Sequence, residues 1–143
     1  MSQFELDDFL PYQLAVLASH VSTSFARIYG ERFGLSVAEW RTLAQLGNAL
    51  RPLSVRDVAR LTELEKSKVS RAIERLKGRG FVAKAQSVDD KRLVAVQITE
   101  SGREVITTLA PLAAKFEQDL LTALGPQADQ FRQSLRKLLD QAG

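Results

Sequence analysis

Large apolar residues recur at Leu10, Leu14, Leu17, Val21, Phe25 and Ile28, in steps of three and four that draw one stripe along a helix running from Leu10 to Phe33. Gly34 is placed to stop it, since glycine takes the left-handed conformation that ends a helix at no steric cost. Ser36 stands three residues before Glu39, the spacing of a reciprocal capping box, and Leu35 and Trp40 occupy the two positions of a hydrophobic staple around it. A second helix is therefore predicted from about Val37 to Ala49. Residues 48–53, with Pro52, read as a loop. Ser54 and Asp57 then repeat the capping signature ahead of the short pattern Val55, Val58, Ala59 and Leu61, which gives a third helix. A turn over residues 62–65 leads into a fourth helix, Lys66 to Lys77, closed by Gly78 and Gly80.

Beyond Gly80 the period changes from helical to extended in Phe81 to Ser87 and again in Leu93 to Ile98, two β-rich runs joined by a polar stretch over residues 88–92. This reads as a hairpin with a charged tip. Thr99 is placed to cap a fifth helix, whose stripe Val105, Leu109, Leu112, Phe116, Leu120 and Leu124 ends at Gly125, with a kink expected at Pro111. Pro126 suits the first turn of a last helix in which Phe131, Leu135 and Leu138 or Leu139 face inward. The fold class is mainly α with a small β-hairpin wing: a winged helix-turn-helix lobe plus a helical region. No repeat, low-complexity tract or flexible linker interrupts it.

Composition narrows the chemistry. The 143 residues suffice for one compact domain, and with no cysteine and a single histidine there is neither a disulfide framework nor a cysteine zinc site, so no metal or cofactor is expected. The longest strictly apolar run, Leu14 to Ala18, is far short of the roughly 20 residues a membrane span needs, and the opening MSQFELDD is acidic where a signal peptide is basic. A cytoplasmic protein without membrane attachment is expected. No Gly-rich phosphate loop exists, because Gly78-Arg79-Gly80 precedes a strand, and a Ser-His-acid site would have to use His20 on an apolar-striped helix. Catalysis is not expected.

The total charge of +3 conceals a local imbalance: residues 51–92 carry twelve Lys and Arg against six Asp and Glu, a net of +6, and the rest of the chain is acidic. A short helix, a tight turn, a second helix and a hairpin, in that order, make a winged helix-turn-helix, whose second helix enters the major groove of double-stranded DNA. With Ser67 at zero and about 100° per residue, Arg71, Glu74, Arg75 and Gly78 fall within about 80° of it, while Val69, Ala72, Ile73 and Leu76 fall on the far side. Lys68 and Ser70 border the polar face, which presents guanidinium and ammonium donors beside short hydroxyls, the groups that grip phosphates and read guanine edges. Arg71 and Arg75 are the base-reading candidates; Ser54, Ser67, Lys68 and Ser70 are further candidate contacts. Lys84, Lys91 and Arg92 cluster on or beside the wing, where an Arg can enter the narrow minor groove. Without the hairpin, the same helix reads as an ordinary amphipathic surface helix.

Three stretches carry a resemblance over essentially the whole length: LSVAEWRTLAQL (35–46), LSVRDVARLTELEKSKVSRAIERLKGRGFV (53–82) and DDKRLVAVQITESG (89–102), the last with Asp-x-Arg followed by Thr-x-x-Gly. The chain resembles MarR-family transcriptional regulators. The resemblance implies one MarR-like domain over residues 1–143, a DNA-binding lobe over 36–98 and a helical dimerisation region over 8–34 and 100–141. It implies an obligate homodimer, with Arg92 in the minor groove and the helix from Lys66 to Lys77 in the major groove. Three apolar stripes exceed what a DNA lobe of about 50 residues can cover, which independently supports a dimer. A dimer fits palindromic operators with half-sites roughly 34 Å apart. The sequence departs from the family at Glu65, where a Ser or Thr often caps the recognition helix.

Relatives commonly release DNA when a small anionic or phenolic ligand binds, or when a cysteine is oxidised, and the second route is closed here. Candidate effector contacts are Tyr12, His20, Trp40 and Arg41, which mix aromatic faces with a cation or hydrogen-bond donor. The opening LDDFLPYQLAVLA resembles regulators of aromatic-acid breakdown, which points to an aromatic acid or an aryl-CoA thioester as the small-molecule effector. The reading is thus a ligand-responsive repressor of transcription. The alternative is a winged-helix protein-interaction module without sequence-specific DNA binding, since the fold alone does not imply DNA.

Overall fold

The computed structural model describes residues 3–86 and 94–142, and the hairpin tip with Lys91 and Arg92 lies outside the described residues. The helices are α1 (Leu10–Phe33), α2 (Val37–Asn48), α3 (Val55–Thr62), α4 (Lys66–Gly78), α5 (Glu100–Leu124) and α6 (Ala128–Ala142). The strands are β1 (Leu53–Ser54), β2 (Val82–Gln86) and β3 (Val94–Ile98). The chain divides into two compact units, Met1–Leu109 and Ala110–Gly143.

Local signals set the boundaries of the first unit. Gly34 ends α1 at φ 66°, its N–H donating to the Gly30 carbonyl at 2.8 Å. The Ser36 box opens α2: the Glu39 N–H donates to Ser36 Oγ at 3.2 Å, and the Ser36 N–H donates to Glu39 Oε1 at 3.4 Å. The two antiparallel ladders give the sheet order β1-β3-β2, with Val82 opposite Ile98 and Leu53 opposite Val96. β1 is too short to leave a period in the sequence; residues 52–53 read as loop, and Leu53 pairs because its buried side chain and backbone fill the free edge of β3.

The core gathers Leu43 and Leu46 of α2, Val58 of α3, Val69, Ala72, Ile73 and Leu76 of α4, Ala95 and Val96 of β3, and Val105 and Leu109 of α5, all nearly or wholly buried. The first turn of α5 is fastened to the end of α4. Thr99 Oγ1 accepts from the Gly102 N–H at 3.1 Å and donates to the Gly80 carbonyl at 2.6 Å, while the Thr99 N–H donates to the Phe81 carbonyl at 3.0 Å. Gly102 is buried, and a Cβ there would collide with the Phe81 carbonyl oxygen and come within 2.7 Å of Ile98 Cγ1. The Thr-x-x-Gly spacing thus has a mechanical cause: the hydroxyl caps the helix and the missing side chain lets it sit on the strand.

Two apolar faces lie largely exposed in the chain. On α1, Leu10, Leu14 and Leu17 are exposed, Val21, Phe25 and Ile28 are half-buried, and the one fully buried residue is Tyr29, which lies off the predicted stripe. On α6, Phe131, Leu135, Leu138 and Leu139, expected to face inward, are each exposed. Pro126 belongs to a 3-10 turn, Gly125–Gln127, that precedes α6 rather than to α6 itself. α5 continues through Pro111, which has no N–H to offer the carbonyl four residues earlier.

The close approach at Gly102 generates a stability prediction. Gly102→Ala requires backbone to move and is expected to cost at least about 2 kcal/mol. Gly78→Ala, at a helical position with nothing within 4 Å of the added carbon, is expected to be neutral or to stabilise by up to about 1 kcal/mol. Urea unfolding of the two variants checks the contrast.

Candidate nucleic-acid interface

Ser54 and Asp57 start the lobe. The Asp57 N–H donates to Ser54 Oγ at 3.1 Å and the Ser54 N–H donates to Asp57 Oδ2 at 3.0 Å. Ser54 is only 7% exposed and its hydroxyl accepts the cap bond. In the turn, Thr62 Oγ1 donates to the Val58 carbonyl at 2.7 Å and accepts from the Leu64 N–H at 3.4 Å. Glu63 takes φ 60°, the left-handed conformation that lets the chain reverse into α4. Glu65 occupies the N-cap of α4 without a side-chain cap bond, as its chemistry leads one to expect.

α4 has the two faces its periodicity predicts. Val69, Ala72, Ile73 and Leu76 are buried, and Ser67, Lys68, Ser70, Arg71, Glu74 and Arg75 are exposed. Lys68, Arg71 and Arg75 come together over the N-terminal turn of α2, around a shallow depression of about 150 Å³ that Ser36 and Glu39 also line. Ser70 and Lys84 meet elsewhere, with Glu74 and Lys77, in a cleft of about 120 Å³ between α4 and the sheet. Ser67 stands apart from both.

The cations differ in their freedom. Lys77 pairs with Glu74 at 3.4 Å, and Arg60 pairs with Asp57 at 3.4 Å. Arg75 Nη1 lies 3.5 Å from Glu39 Oε2, an ion pair across 36 positions of sequence. Among the described residues Arg71 and Lys68 have no ion-pair or hydrogen-bond partner. Glu39, read from the sequence only as a capping residue, thus also meets Arg75. No local spacing could have disclosed it, because its partner arrives through the packing of α4 on α2.

The four effector candidates do not converge. Tyr12 and His20 line an open groove of about 380 Å³ along α1 with Asp7, Gln13, Val16 and Leu17. Trp40 lies in an aromatic cluster instead, stacked on Tyr29 at 5.3 Å and 21° and meeting Phe25 edge-on at 5.5 Å. Arg41 Nη2 donates to Ser22 Oγ at 3.2 Å. Burial raises the Tyr29 hydroxyl above its ordinary 10.0, against the opposing influence of Arg41. Among the described residues no group of three or more His, Cys, Asp or Glu could hold a metal ion, and no helix is long and apolar enough to cross a membrane.

Comparisons with known proteins agree with this geometry. The model of the MarR family matches residues 33–93. The chain is 29% identical over 73 residues to the HTH-type transcriptional regulator BilQ of Clostridioides difficile, covering 51% of this chain and 49% of that protein. It is 35% identical over 69 residues to the uncharacterized HTH-type transcriptional regulator YwaE of Bacillus subtilis, covering 48% of this chain and 40% of that one. The matched segment thus spans about half the length of these curated relatives or less. Over the full fold, the crystal structure of a MarR family transcriptional regulator from Silicibacter pomeroyi superposes with a TM-score of 0.82 at 29% identity, covering 99% of this chain and 100% of that one.

The α3 cap carries a pH signature. The Ser54 backbone N–H holds the Asp57 carboxyl below its ordinary 3.8 against the opposing effect of burial, and the Ser54 hydroxyl, Arg60 and Arg51 lower it further. A carboxyl whose folded value is depressed stabilises the fold above its ordinary value and loses that contribution as pH falls through the lowered one. Asp57→Ala is therefore expected to cost about 1 kcal/mol at neutral pH. The gap from wild type should shrink as the solution is acidified below pH 3.8. Denaturant titrations across pH measure it, and a constant gap contradicts the assignment.

Proposed function

We propose that the chain is a member of the MarR family and regulates transcription by binding double-stranded DNA as a homodimer. The observation that carries this reading is the outward face of α4, where Lys68 and Arg71 stand exposed and, among the described residues, unpartnered while the opposite face is buried. In this reading Arg71 reaches base edges in the major groove, Ser67, Lys68, Ser70 and Lys84 hold phosphates, and Lys91 and Arg92 follow from the sequence as wing contacts.

A second copy accounts for the exposed apolar residues. Leu10, Tyr12, Leu14 and Leu17 on α1, Leu120 on α5, and Phe131, Leu135, Leu138 and Leu139 on α6 are more apolar surface than a monomer ordinarily leaves in water. Two copies related by a two-fold axis read a palindromic operator, and the chain acts there as a repressor. The effector is a small aromatic acid or its CoA thioester seated in the groove of Tyr12 and His20, where an aromatic ring and an imidazole lie beside Leu17.

Binding to duplexes selected from a random library tests the reading. With about 6 to 10 phosphate contacts, log affinity should fall with log salt at about −0.9 per contact. Arg71→Ala should cost about 1–3 kcal/mol and relax preference at one base step. Arg92→Ala should weaken binding across all sequences. A shallow salt dependence with no selected sequence favours the protein-interaction module and overturns the proposal. For the effector, benzoate or benzoyl-CoA at about 100 times its Kd should stabilise the chain by about 2.7 kcal/mol, seen as a rise in Tm. A rise that survives Tyr12→Ala and His20→Ala excludes the groove.

A further inference from the structure

We propose that Arg75 is a positioning residue rather than a base reader: through its ion pair with the buried carboxylate of Glu39 it fixes the angle at which α4 presents Arg71 and Lys68. This rests on the DNA-binding reading above and deepens it.

Glu39 is 5% exposed, and its two carboxylate oxygens have separate duties. Oε1 accepts from the Ser36 N–H at 3.4 Å and closes the α2 cap, while Oε2 faces Arg75 Nη1 at 3.5 Å. The Arg75 side chain is 68% exposed, so its guanidinium lies at the protein surface with one edge turned to α2 and the other toward solvent. If Arg75 swung out to a base, it would leave a buried carboxylate with a single long hydrogen bond and no countercharge, in a position that faces the approaching phosphates. Arg71 has no such obligation and can move to a base without breaking anything among the described residues.

Geometry supplies the second half of the inference. Val69, Ala72, Ile73 and Leu76 bury one side of α4 in the core and set its register, which leaves small rotations about the helix axis to be resisted at its exposed edges. The Arg75 and Glu39 pair lies off that line of contact, on the exposed shoulder of α4, where it opposes such rolling. Lys68, Arg71 and Arg75 share one depression with Ser36 and Glu39, so a small rotation of α4 displaces all three cations together. In a bidentate contact with a base, such displacement is felt as lost specificity and lost affinity at once.

The test uses the full chain, a fluorescent duplex chosen by wild-type selection from a random library, and the variants Glu39→Gln, Arg75→Ala, Arg75→Lys and the double Glu39→Gln/Arg75→Ala. The expected result has four parts. Glu39→Gln and Arg75→Ala each weaken binding by about three- to tenfold, and the double variant is no weaker than the worse single one. Arg75→Lys, which keeps the charge beside Glu39, recovers most of the affinity. The salt slope stays at the wild-type value, whereas loss of a phosphate contact would reduce it by about 0.9. Preference falls evenly across the operator. The proposal is overturned if Arg75→Ala loses preference at one base step or lowers the slope by one contact, or if Glu39→Gln leaves binding unchanged or tightens it. A wild-type chain that selects no duplex refutes DNA binding itself, an outcome visible before any variant is measured.

Discussion

The packing of α4 on α2 is the constraint from which the rest of the lobe follows. Val69, Ala72, Ile73 and Leu76 form an apolar face that is buried to within a few per cent, and Leu43 and Leu46 of α2 belong to the same core. Burying a side chain such as Val69, Ile73 or Leu76 favours folding by about 1.5–3 kcal/mol, which decides which face of α4 turns inward. With the inward face fixed, the 3.6-residue period sends Ser67, Lys68, Ser70 and Arg71 outward. The cationic surface is a consequence of the core, and its register on α4 changes only if the core repacks.

Much of this was legible in the sequence because it is encoded over short distances. Both capping boxes, the glycine stop at Gly34 and the two faces of α4 depend on residues three or four apart, and the structure has them as read. Features fixed by distant partners were not legible. β1 pairs with β3 more than forty residues away, and Glu39 meets Arg75 only once two helices have docked. Tyr29 is buried by Phe25 and Trp40 rather than by its place on a stripe, since α1 turns its apolar residues in more than one direction. The stripes on α1 and α6 were correctly seen as apolar, but periodicity says that a face needs cover and does not say from which chain.

A concentration of cations destabilises the lobe that carries it, and the structure manages the cost unevenly. Arg60 and Lys77 are held by carboxylates three residues away on their own helices, contacts worth only a few tenths of a kcal/mol each. Those pairs moderate local repulsion without changing the outward face. Lys68 and Arg71, which lie over the N-terminal turn of α2, are left unpaired among the described residues. Pairing thus holds Arg60, Arg75 and Lys77 and leaves Lys68 and Arg71 without a carboxylate among the described residues. A surface arranged in this way pays its repulsion in the unbound state and recovers it when a polyanion displaces the counterions.

The joint between α4 and α5 shows how a change elsewhere in the lobe reaches that surface. Thr99 bonds to the carbonyls of both Gly80 and Phe81, immediately after α4, and Gly102 brings α5 so close to Phe81 that no side chain fits between. A joint of this kind has little room to deform, so a shift of the first turn of α5 moves the end of α4 with it. A ligand alters DNA affinity only by binding one arrangement of the lobe better than another. The groove of Tyr12 and His20 touches neither α4 nor this joint. The aromatic cluster of Phe25, Tyr29 and Trp40 joins α1 to α2, the helix on which α4 packs.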